Sequence, residues 1–242
     1  MAGRDDVKAL VFDIFGTVVD WRTSCSRELA AFGRGRGITG VDWEAFTDDW
    51  RGLYQPSMEE VRSGRREFAI LDDLHRESLL ALVQRYNLPS LANHEVEHLV
   101  TIWHRLSPWP DVVEGLYRLK KRYIIGTLSN GNIGLMTRLA KHAGLPWDCI
   151  LGAEVARAYK PQPEAYIRTA KALNLEPREC MLVAAHNGDL QAASDTGYRT
   201  AFVIRPTEYG PNQVTDKGAN KAWDVITDSF GGVADAMGCP RY

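Results

Sequence analysis

The sequence predicts an α/β fold in which a doubly wound parallel sheet is interrupted by one helical insertion. A short apolar segment, KALVF, ends in an acid near the N-terminus, and residues 22–105 are charged with helical periodicity and no strong strand. From residue 106 onwards, strand-like and helical segments alternate with short connections, which is typical of a parallel sheet covered by helices on both faces. We therefore expect a core of residues 1–21 and 106–242 and a helical domain over 22–105.

The predicted elements follow in order from the first strand, KALVF, residues 8–12, which runs into Asp13 and a turn at Gly16. The insertion then reads as about four helices. Apolar residues recur there at about helical spacing, at Phe68, Leu71, Leu74, Leu79 and Leu82.

The remaining elements belong to the core. In order they are a helix VVEGLYRLKKR with Asp111 as its N-cap, a strand over 123–129, a helix NIGLMTRLAKHAGL ending at Gly144, the segment CILGAEV, a helix PEAYIRTAKALNL, a strand over 180–185, a helix DLQAASDTG and a strand TAFVIRP. The tail from Thr207 is predicted to be loop-rich, with room for a short strand at WDVI.

Composition excludes several classes of protein. The formal net charge of -2 gives no general attraction to nucleic acid or to an anionic membrane. The four cysteines are far apart and form no CxxC pair, so we expect free thiols in a reducing cytoplasm. The N-terminus, MAGRDDVKAL, does not read as a signal peptide, and no run approaches the roughly 18 apolar residues of a membrane span.

Polar residues follow the predicted strands where ligands bind in doubly wound sheets, at the carboxyl ends. The first strand ends at Asp13 and the second leads into Ser129 and Asn130. Lys160 follows the segment CILGAEV, and the strand over 180–185 is followed by a group of three, His186, Asn187 and Asp189. An acid, a hydroxyl with an amide, a lysine and a second acid are therefore expected at one edge of the sheet.

These residues lie in four motifs, Asp13 in FDIFGT, Ser129 in LSNGN, Lys160 in YKPQPEAY and Asp189 in HNGDL. The order and spacing of the motifs resemble the haloacid dehalogenase superfamily. That resemblance implies a Rossmann-like core with a cap domain, and the helical insertion lies at the cap position. It also implies that Asp13 is the nucleophile.

Phe15 indicates a branch of the superfamily. Most members are phosphatases, with a second acid two residues after the nucleophile that protonates the leaving alkoxide. Phenylalanine cannot transfer a proton, and the residues before Asp189 lack the additional acid with which those phosphatases hold Mg²⁺. A halide leaves without a proton, so this equipment suits removal of a halide. FDIFGT, with an aromatic residue at this place, resembles the (S)-2-haloacid dehalogenase branch; the resemblance implies that no metal is needed, and we expect no cofactor.

The resemblance implies a reaction in two steps. Asp13 attacks the halogen-bearing carbon and forms an ester, which water hydrolyses to a 2-hydroxyacid with one inversion at the substrate carbon. Lys160 keeps Asp13 ionised, Asp189 orients or deprotonates the water, and Thr17 hydrogen-bonds Asp13 or assists ester hydrolysis.

The substrate-binding residues are inferred in the same way. Ser129 is expected to bind the substrate carboxylate and Asn130 the halide. Arg51, which follows Trp50, is expected to bind the halide or the carboxylate, with Arg22 as a rival. The other residues expected at the pocket are Phe15, Phe68, Trp109 and Tyr166, although packing in the core is an alternative for Phe68 and Tyr166.

His186 departs from the family pattern, in which a serine and an asparagine precede the acid; here those places hold Ala184 and His186. His186 is expected to take the asparagine's role, assisted by Asn187, and to narrow the pocket toward chloroacetate or fluoroacetate. A structural histidine bonded to a loop carbonyl is the alternative.

The sequence is compatible with three functions. The first is hydrolysis of short 2-haloacids, either L-2-haloacids or haloacetates. The second is a phosphatase-like hydrolase and the third a non-catalytic binding protein on the same fold. The expected partners are a small haloacid and, from the resemblance, a second copy of the chain in a homodimer; the preferred halogen and chain length are not fixed by the sequence.

Overall fold

The computed structural model describes residues 6–241, so the first residues of the segment MAGRDDVKAL lie outside the described part. The strands in chain order are β1 (Ala9–Phe12), β2 (Val19–Asp20), β3 (Ser107–Pro108), β4 (Ile124–Thr127), β5 (Cys180–Ala184), β6 (Arg199–Val203) and β7 (Val225–Thr227). Five of them form a parallel sheet in the order β4-β1-β5-β6-β7, which confirms the predicted α/β class.

The strand order determines where along the sheet a ligand can bind. β1 is fully buried and lies between β4 and β5, with Leu10 opposite Ile125 on one side and Met181 on the other. The chain passes from β1 to β4 and then crosses back to β5, so the topology reverses beside β1. Ligands bind at such a switch point, outside the carboxyl ends of the strands.

The insertion is helical, as predicted, but it contains five α-helices instead of about four. They are α1 (Trp21–Gly35), α2 (Trp43–Gly52), α3 (Tyr54–Arg62), α4 (Leu71–Arg85) and α5 (Asn93–Val100), followed by a 3₁₀ turn over Thr101–His104. The additional boundary falls at Leu53, which ends α2 and precedes α3. Because Pro56 lies in the first turn of α3, where proline is tolerated, the helical pattern continues across a break of one residue.

An antiparallel pair joins the insertion to the sheet domain. Val19 pairs with Pro108 and Asp20 with Ser107, so the chain leaves the core on β2 and returns on β3 beside it. The Asp20 side chain then caps α1 by accepting a hydrogen bond from the Thr23 backbone N–H at 3.0 Å.

The remaining helices flank the sheet. They are α6 (Val112–Lys120), α7 (Ile133–Ala143), α8 (Ala153–Ala156), α9 (Pro163–Ala172), α10 (Asn187–Asp195) and α11 (Phe230–Ala236), with a 3₁₀ turn at Pro177–Glu179. Gly144 ends α7 with a φ of +65°, as predicted. The segment CILGAEV forms only single bridges to Gly126 and Ser129 and then the short α8.

The Asp111 prediction is right in position and wrong in mechanism. Asp111 immediately precedes α6, but its side chain makes no capping hydrogen bond. Its two oxygens instead accept from Arg205 at 2.8 and 3.0 Å, and one also accepts from the Phe230 backbone N–H at 2.8 Å. Asp111 therefore ties α6 to the chain after β6 and to the start of α11.

An aromatic cluster joins the insertion to the turn after β1. It consists of Phe15, Trp21, Trp50, Tyr54, His75 and Trp103. The Trp103 ring is its centre: its centroid lies 5.7 Å from that of Phe15, 5.5 Å from that of Trp50 and 4.4 Å from that of His75. Burial of large aromatic surfaces is among the strongest contributions to packing, so this cluster fixes the insertion over the sheet edge.

Two further findings concern the described chain. None of the helices within residues 6–241 is long and apolar enough to span a lipid bilayer. All four cysteines are free thiols, as predicted.

Candidate active site

A cavity of about 370 Å³ lies at the carboxyl ends of β1 and β5, beneath the insertion. Seven of the predicted site residues line it: Asp13, Arg51, Asn130, Lys160, Tyr166, His186 and Asp189. The sheet supplies most of them through the loops that follow its strands, and α2 supplies Arg51 from above. This cavity is called the active-site pocket below.

Asp13 and Lys160 form a buried ion pair at the floor of the pocket. The Asp13 backbone N–H donates to the carbonyl of Val183 at 3.0 Å, and Lys160 Nζ lies 2.9 Å from Asp13 Oδ1. Lys160 is only 8% exposed and also donates to Asp189 Oδ2. Its backbone N–H donates to Asn130 Oδ1 at 2.9 Å, which fixes the lysine beneath the loop after β4.

The charges around Asp13 keep it ionised. Burial opposes the charged form, but the Lys160 ammonium and the hydrogen bond and charge of His186 outweigh burial and hold the pKa of Asp13 well below its usual range. Burial likewise opposes the charge on Lys160, and the carboxylates of Asp13 and Asp189 outweigh it and raise the pKa of the lysine. The carboxylate is therefore available as a nucleophile at neutral pH.

The second oxygen of Asp13 has one hydrogen-bond donor, Thr17, and one close ion-pair neighbour, His186. The Thr17 hydroxyl donates to Asp13 Oδ2 at 2.6 Å and itself accepts from the Ala185 backbone N–H at 2.9 Å. His186 Nδ1 lies 3.2 Å from the same Asp13 oxygen. Thr17 and His186 together thus fix the rotation of the carboxylate.

His186 contacts a second carboxylate, Glu208, which the sequence analysis missed. His186 Nε2 lies 2.9 and 3.1 Å from the two Glu208 oxygens, and Glu208 is 1% exposed. Burial opposes protonation of His186, but Glu208 and Asp13 outweigh it and raise the pKa of the imidazole well above its usual value. The partners are carboxylates, so the expected alternative, a loop carbonyl, is wrong.

Asp189 is held from both sides. Tyr166 Oη donates to Asp189 Oδ1 at 2.7 Å, while Lys160 contacts the other oxygen. Burial, with the Asp189 charge beside it, raises the pKa of Tyr166, so its hydroxyl remains a donor. The alternative of a core aromatic with no polar role therefore does not describe Tyr166.

Arg51 extends from α2 into the pocket, and its guanidinium carbon lies 4.0 Å from the ring centroid of Tyr54. Its Nη1 is buried and has no hydrogen-bond partner among the described residues. The rival, Arg22, instead donates to Asp48 at 2.7 Å and to Glu44 at 3.0 Å. Arg51 therefore offers an uncommitted cationic N–H to an anion, whereas Arg22 is already neutralised.

Ser129 and Asn130 follow β4. Ser129 is fully buried and is not one of the residues that line the pocket; its Oγ accepts from the Gly131 backbone N–H at 3.1 Å. Asn130 lines the pocket; because its Oδ1 already accepts from Lys160, its amide nitrogen is the atom that can donate to a ligand.

Three predicted aromatic residues do not line the pocket. The Phe15 ring, 2% exposed, packs into the aromatic cluster. Phe68 stacks on Tyr159 with a centroid distance of 5.4 Å. Trp109 donates to the carbonyl of Gly16 at 2.8 Å and lines a separate cavity. Each ring is committed to packing, so direct contact with a ligand in the pocket is not supported.

Asn187 also differs from expectation. Its amide nitrogen donates to Asp216 Oδ1 at 2.8 Å and to the carbonyl of Gly218 at 2.9 Å. Its oxygen accepts from the Asn220 backbone N–H and from Trp223 Nε1, both at 3.0 Å. The side chain holds the loop before β7 in place, so it has no capacity left to assist His186.

Tyr54, Gln55 and Tyr209 also line the pocket and were not predicted. Tyr54 lies three residues after Arg51 but belongs to α3, because α2 ends before Leu53. Glu208 and Tyr209 follow β6. Reading the strand ends one strand further would have found both.

The site does not fit a divalent metal. Within residues 6–241, no group of three or more His, Cys, Asp or Glu side chains is placed to hold a metal ion. Lys160 Nζ occupies the space between Asp13 and Asp189, the two carboxylates that a cation would have to bridge. A lysine ammonium at that place supplies the positive charge.

Comparisons with known proteins agree with the fold. The model of the haloacid dehalogenase-like hydrolase family matches residues 7–197, and the chain therefore belongs to this family. A solved structure of a defluorinating L-2-haloacid dehalogenase superimposes with a TM-score of 0.93, at 48% identity, covering 96% of this chain and 95% of that one.

Two further relatives are similar. A second L-2-haloacid dehalogenase of known structure has a TM-score of 0.91 and 42% identity, covering 96% of this chain and 99% of that one. The (S)-2-haloacid dehalogenase of Xanthobacter autotrophicus is 30% identical over 82% of this chain and 76% of its own length.

Proposed function

We propose that this hydrolase removes halide from short (S)-2-haloacids, also called L-2-haloacids, and releases 2-hydroxyacids through an ester on Asp13. The observation that carries the proposal is the Asp13–Lys160 pair at 2.9 Å next to a turn in which Phe15, and not a second acid, is buried. A nucleophilic carboxylate with no proton donor at that place suits a leaving group that needs no proton. The names of the similar proteins support the same reaction.

In the first step, an Asp13 oxygen attacks the halogen-bearing carbon and the halide departs with the bonding electron pair. The ionised state of Asp13 provides the nucleophile. Arg51 and the Asn130 amide are the donors available to the halide and the substrate carboxylate.

In the second step, water attacks the carbonyl carbon of the ester. Asp189 and Asp13 both contact Lys160, which places the two carboxylates close together. We assign Asp189 as the base that takes a proton from the attacking water. Because this step breaks the bond at the enzyme's carbonyl, the configuration at the substrate carbon inverts only once. A metal ion has no part in either step as we propose it.

We extend the proposal to carbon–fluorine bonds. Fluoride is a strong hydrogen-bond acceptor and a poor leaving group, so its departure needs well-placed N–H donors. The buried, uncommitted Nη1 of Arg51 is such a donor, and the 48% identical relative is named as defluorinating.

The test is release of halide from L- and D-2-chloropropionate, chloroacetate and fluoroacetate in the presence of EDTA. We expect release from the L-isomer, and a loss of about 10³-fold or more in Asp13→Asn, since the nucleophile is removed. Asp73→Asn, at an exposed position on α4, is the matched control and should leave the rate unchanged. No halide from any acid, together with Mg²⁺-dependent phosphate release from a phosphate ester, would contradict the proposal.

A further inference from the structure

His186 lies between two carboxylates. Its Nδ1 is 3.2 Å from Asp13 Oδ2 and its Nε2 is 2.9 Å from Glu208 Oε2. Nε2 hydrogen-bonds an ionised carboxylate, which can only accept, so Nε2 carries a hydrogen. A lone pair on Nδ1 would face the negative charge of Asp13 at 3.2 Å, so a hydrogen on Nδ1 is favoured as well. The geometry therefore favours the imidazolium form, with Nδ1–H beside the nucleophile.

Glu208 is built into the fold for this contact. Within residues 6–241 its side-chain hydrogen-bond partners are His186 and Trp21, whose indole N–H donates at 3.1 Å. Gly16, at a φ of +91°, passes so close that a Cβ there would lie 2.0 Å from Glu208 Oε1. The absence of a side chain at Gly16 leaves the space that the Glu208 carboxylate occupies. Burial of an unpaired carboxylate costs free energy, and the ion-pair partner of Glu208 is His186.

The second oxygen of Asp13 is the atom at which this arrangement matters. If Oδ1 becomes the ester oxygen, Oδ2 becomes the ester carbonyl oxygen. It then lies between two donors, the Thr17 hydroxyl at 2.6 Å and His186 Nδ1 at 3.2 Å. When water attacks, the negative charge develops on that oxygen, and fixed donors at that position stabilise the transition state.

We propose that Glu208 is a positioning residue for ester hydrolysis, which holds His186 so that its Nδ1–H and the Thr17 hydroxyl form the oxyanion site at Asp13 Oδ2. The inference rests on the proposed function, because it concerns the second step of that reaction. It adds a residue and a role to the site: Glu208 acts through His186 and does not contact the substrate.

Ester hydrolysis passes through an intermediate at the Asp13 carbonyl carbon. Water oxygen bonds to the Asp13 carbonyl carbon, the carbonyl electron pair moves to Oδ2, and one water proton moves to Asp189. Collapse of this intermediate breaks the bond between the carbonyl carbon and the ester oxygen, and the departing alkoxide takes the proton from Asp189 as the 2-hydroxyacid. Asp13, which carries the second water proton at this point, loses it to solvent and is a carboxylate again.

The decisive variant is Glu208→Gln, which keeps the size of the side chain and an oxygen for the Trp21 N–H but removes the charge. With L-2-chloropropionate and rapid quenching, we expect a burst of about one chloride per site at a rate close to that of the parent enzyme. Later turnovers should slow by about 10²–10³-fold. Intact-protein mass spectrometry should then detect the ester on Asp13. Glu60→Gln, at an exposed position paired with Arg65, is the matched control and should show neither effect.

A pH profile separates positioning from loss of packing. The charged and titratable groups around His186 in the pocket are Asp13, Arg51, Tyr54, Lys160, Tyr166, Asp189, Glu208, Tyr209 and Asp216. A neutral glutamine no longer favours the imidazolium, so the alkaline limit of ester hydrolysis should move to lower pH in Glu208→Gln. Glu208→Asp keeps the charge and should restore part of the rate and of the alkaline limit.

The outcomes are distinguishable. If Glu208→Gln slows the burst and the later turnovers equally and no ester accumulates, the inference is overturned, whereas the proposed function stands. If the parent enzyme releases no halide, the proposed function itself fails. Should Glu208→Gln not fold, Trp21→Phe, which removes the indole N–H that Glu208 accepts together with part of a buried ring, carries the same test. Slower ester hydrolysis with an intact burst supports the role, and an unchanged rate opposes it.

Discussion

At the scale of single residues, Phe15 cannot donate a proton, and the apolar rings around it would not accommodate an acid in its place. The ring packs edge-on against Trp103 at 5.7 Å and against Tyr54 at 6.3 Å. A carboxylate placed there would enter an apolar cluster and lose its hydration. The position that supplies a proton donor in phosphatases of this superfamily therefore serves here as a packing contact between the insertion and the core.

Arg51 and Arg22 provide a matched pair for a mutational test. We expect Arg51→Lys to lower kcat/KM for L-2-chloropropionate by about 10–10²-fold, because a lysine cannot reproduce the guanidinium N–H geometry toward an anion. Arg22→Lys should leave kcat/KM unchanged, since Arg22 is paired with Asp48 and Glu44. Steady-state kinetics of both variants measure the difference. Equal losses of kcat/KM would contradict a specific role of Arg51 in binding the anion.

At the scale of elements, Asp111 shows how one side chain connects three segments. It stands before α6, binds Arg205 after β6 and accepts from the first backbone N–H of α11. Arg205 is 7% exposed, so removal of its partner leaves a buried guanidinium without compensation.

We expect Asp111→Ala to lower the free energy of unfolding by about 3 kcal/mol. Urea unfolding would measure this as a lower midpoint at an unchanged slope. The exposed ion pair between Glu60 and Arg65 is the comparison, and Glu60→Ala should not change the midpoint measurably. A similar small change in both variants would show that the contact of Asp111 with Arg205 is dispensable.

At the scale of the whole molecule, charge is collected at the pocket and balanced there. Three acids, Asp13, Asp189 and Glu208, lie beside three bases, Lys160, His186 and Arg51. With His186 protonated, these six charges cancel before a ligand binds, and a fourth acid on the lining, Asp216, accepts from Asn187. Of the three cations, Arg51 is the one with a buried N–H that no described residue accepts, so an anionic substrate has a place to bind without displacing an existing pair.

The stability of the molecule should depend on pH through His75. Burial lowers the pKa of His75 to about 3, and neither ring nitrogen has a hydrogen-bond partner among the described residues. Between its unfolded pKa of about 6.5 and that value, the unfolded chain binds a proton that the folded protein does not. Stability should therefore fall by about 1.4 kcal/mol per pH unit as pH decreases below about 6.

His75→Phe should remove this dependence between about pH 6 and pH 4, as measured by urea unfolding at each pH. His186 does not contribute there, because its raised pKa adds stability that is fully present below about pH 6.5. Asp13, whose pKa is lowered, loses its contribution only as pH falls below about 4. His142→Gln, at an exposed position, is the control and should leave the dependence of stability on pH unchanged. If His75→Phe also left it unchanged, a different group would be its cause.

The homodimer expected from the family resemblance remains a proposal about the whole molecule. Sedimentation equilibrium at several protein concentrations tests it. A mass of twice 27.1 kDa would support the proposal, and a monomer at all concentrations would oppose it.

The sequence by itself determined the sheet, its helical insertion and the residues that follow β1, β4 and β5, because local patterns and strand ends fix these directly. Only the tertiary structure decided which side chains meet. Glu208 reaches His186 across 22 positions of chain, Arg51 enters the pocket while Arg22 does not, and Phe68, Trp109 and Asn187 are committed elsewhere. Such choices depend on packing between distant segments and on competition for hydrogen-bond partners, which periodicity along the chain does not contain.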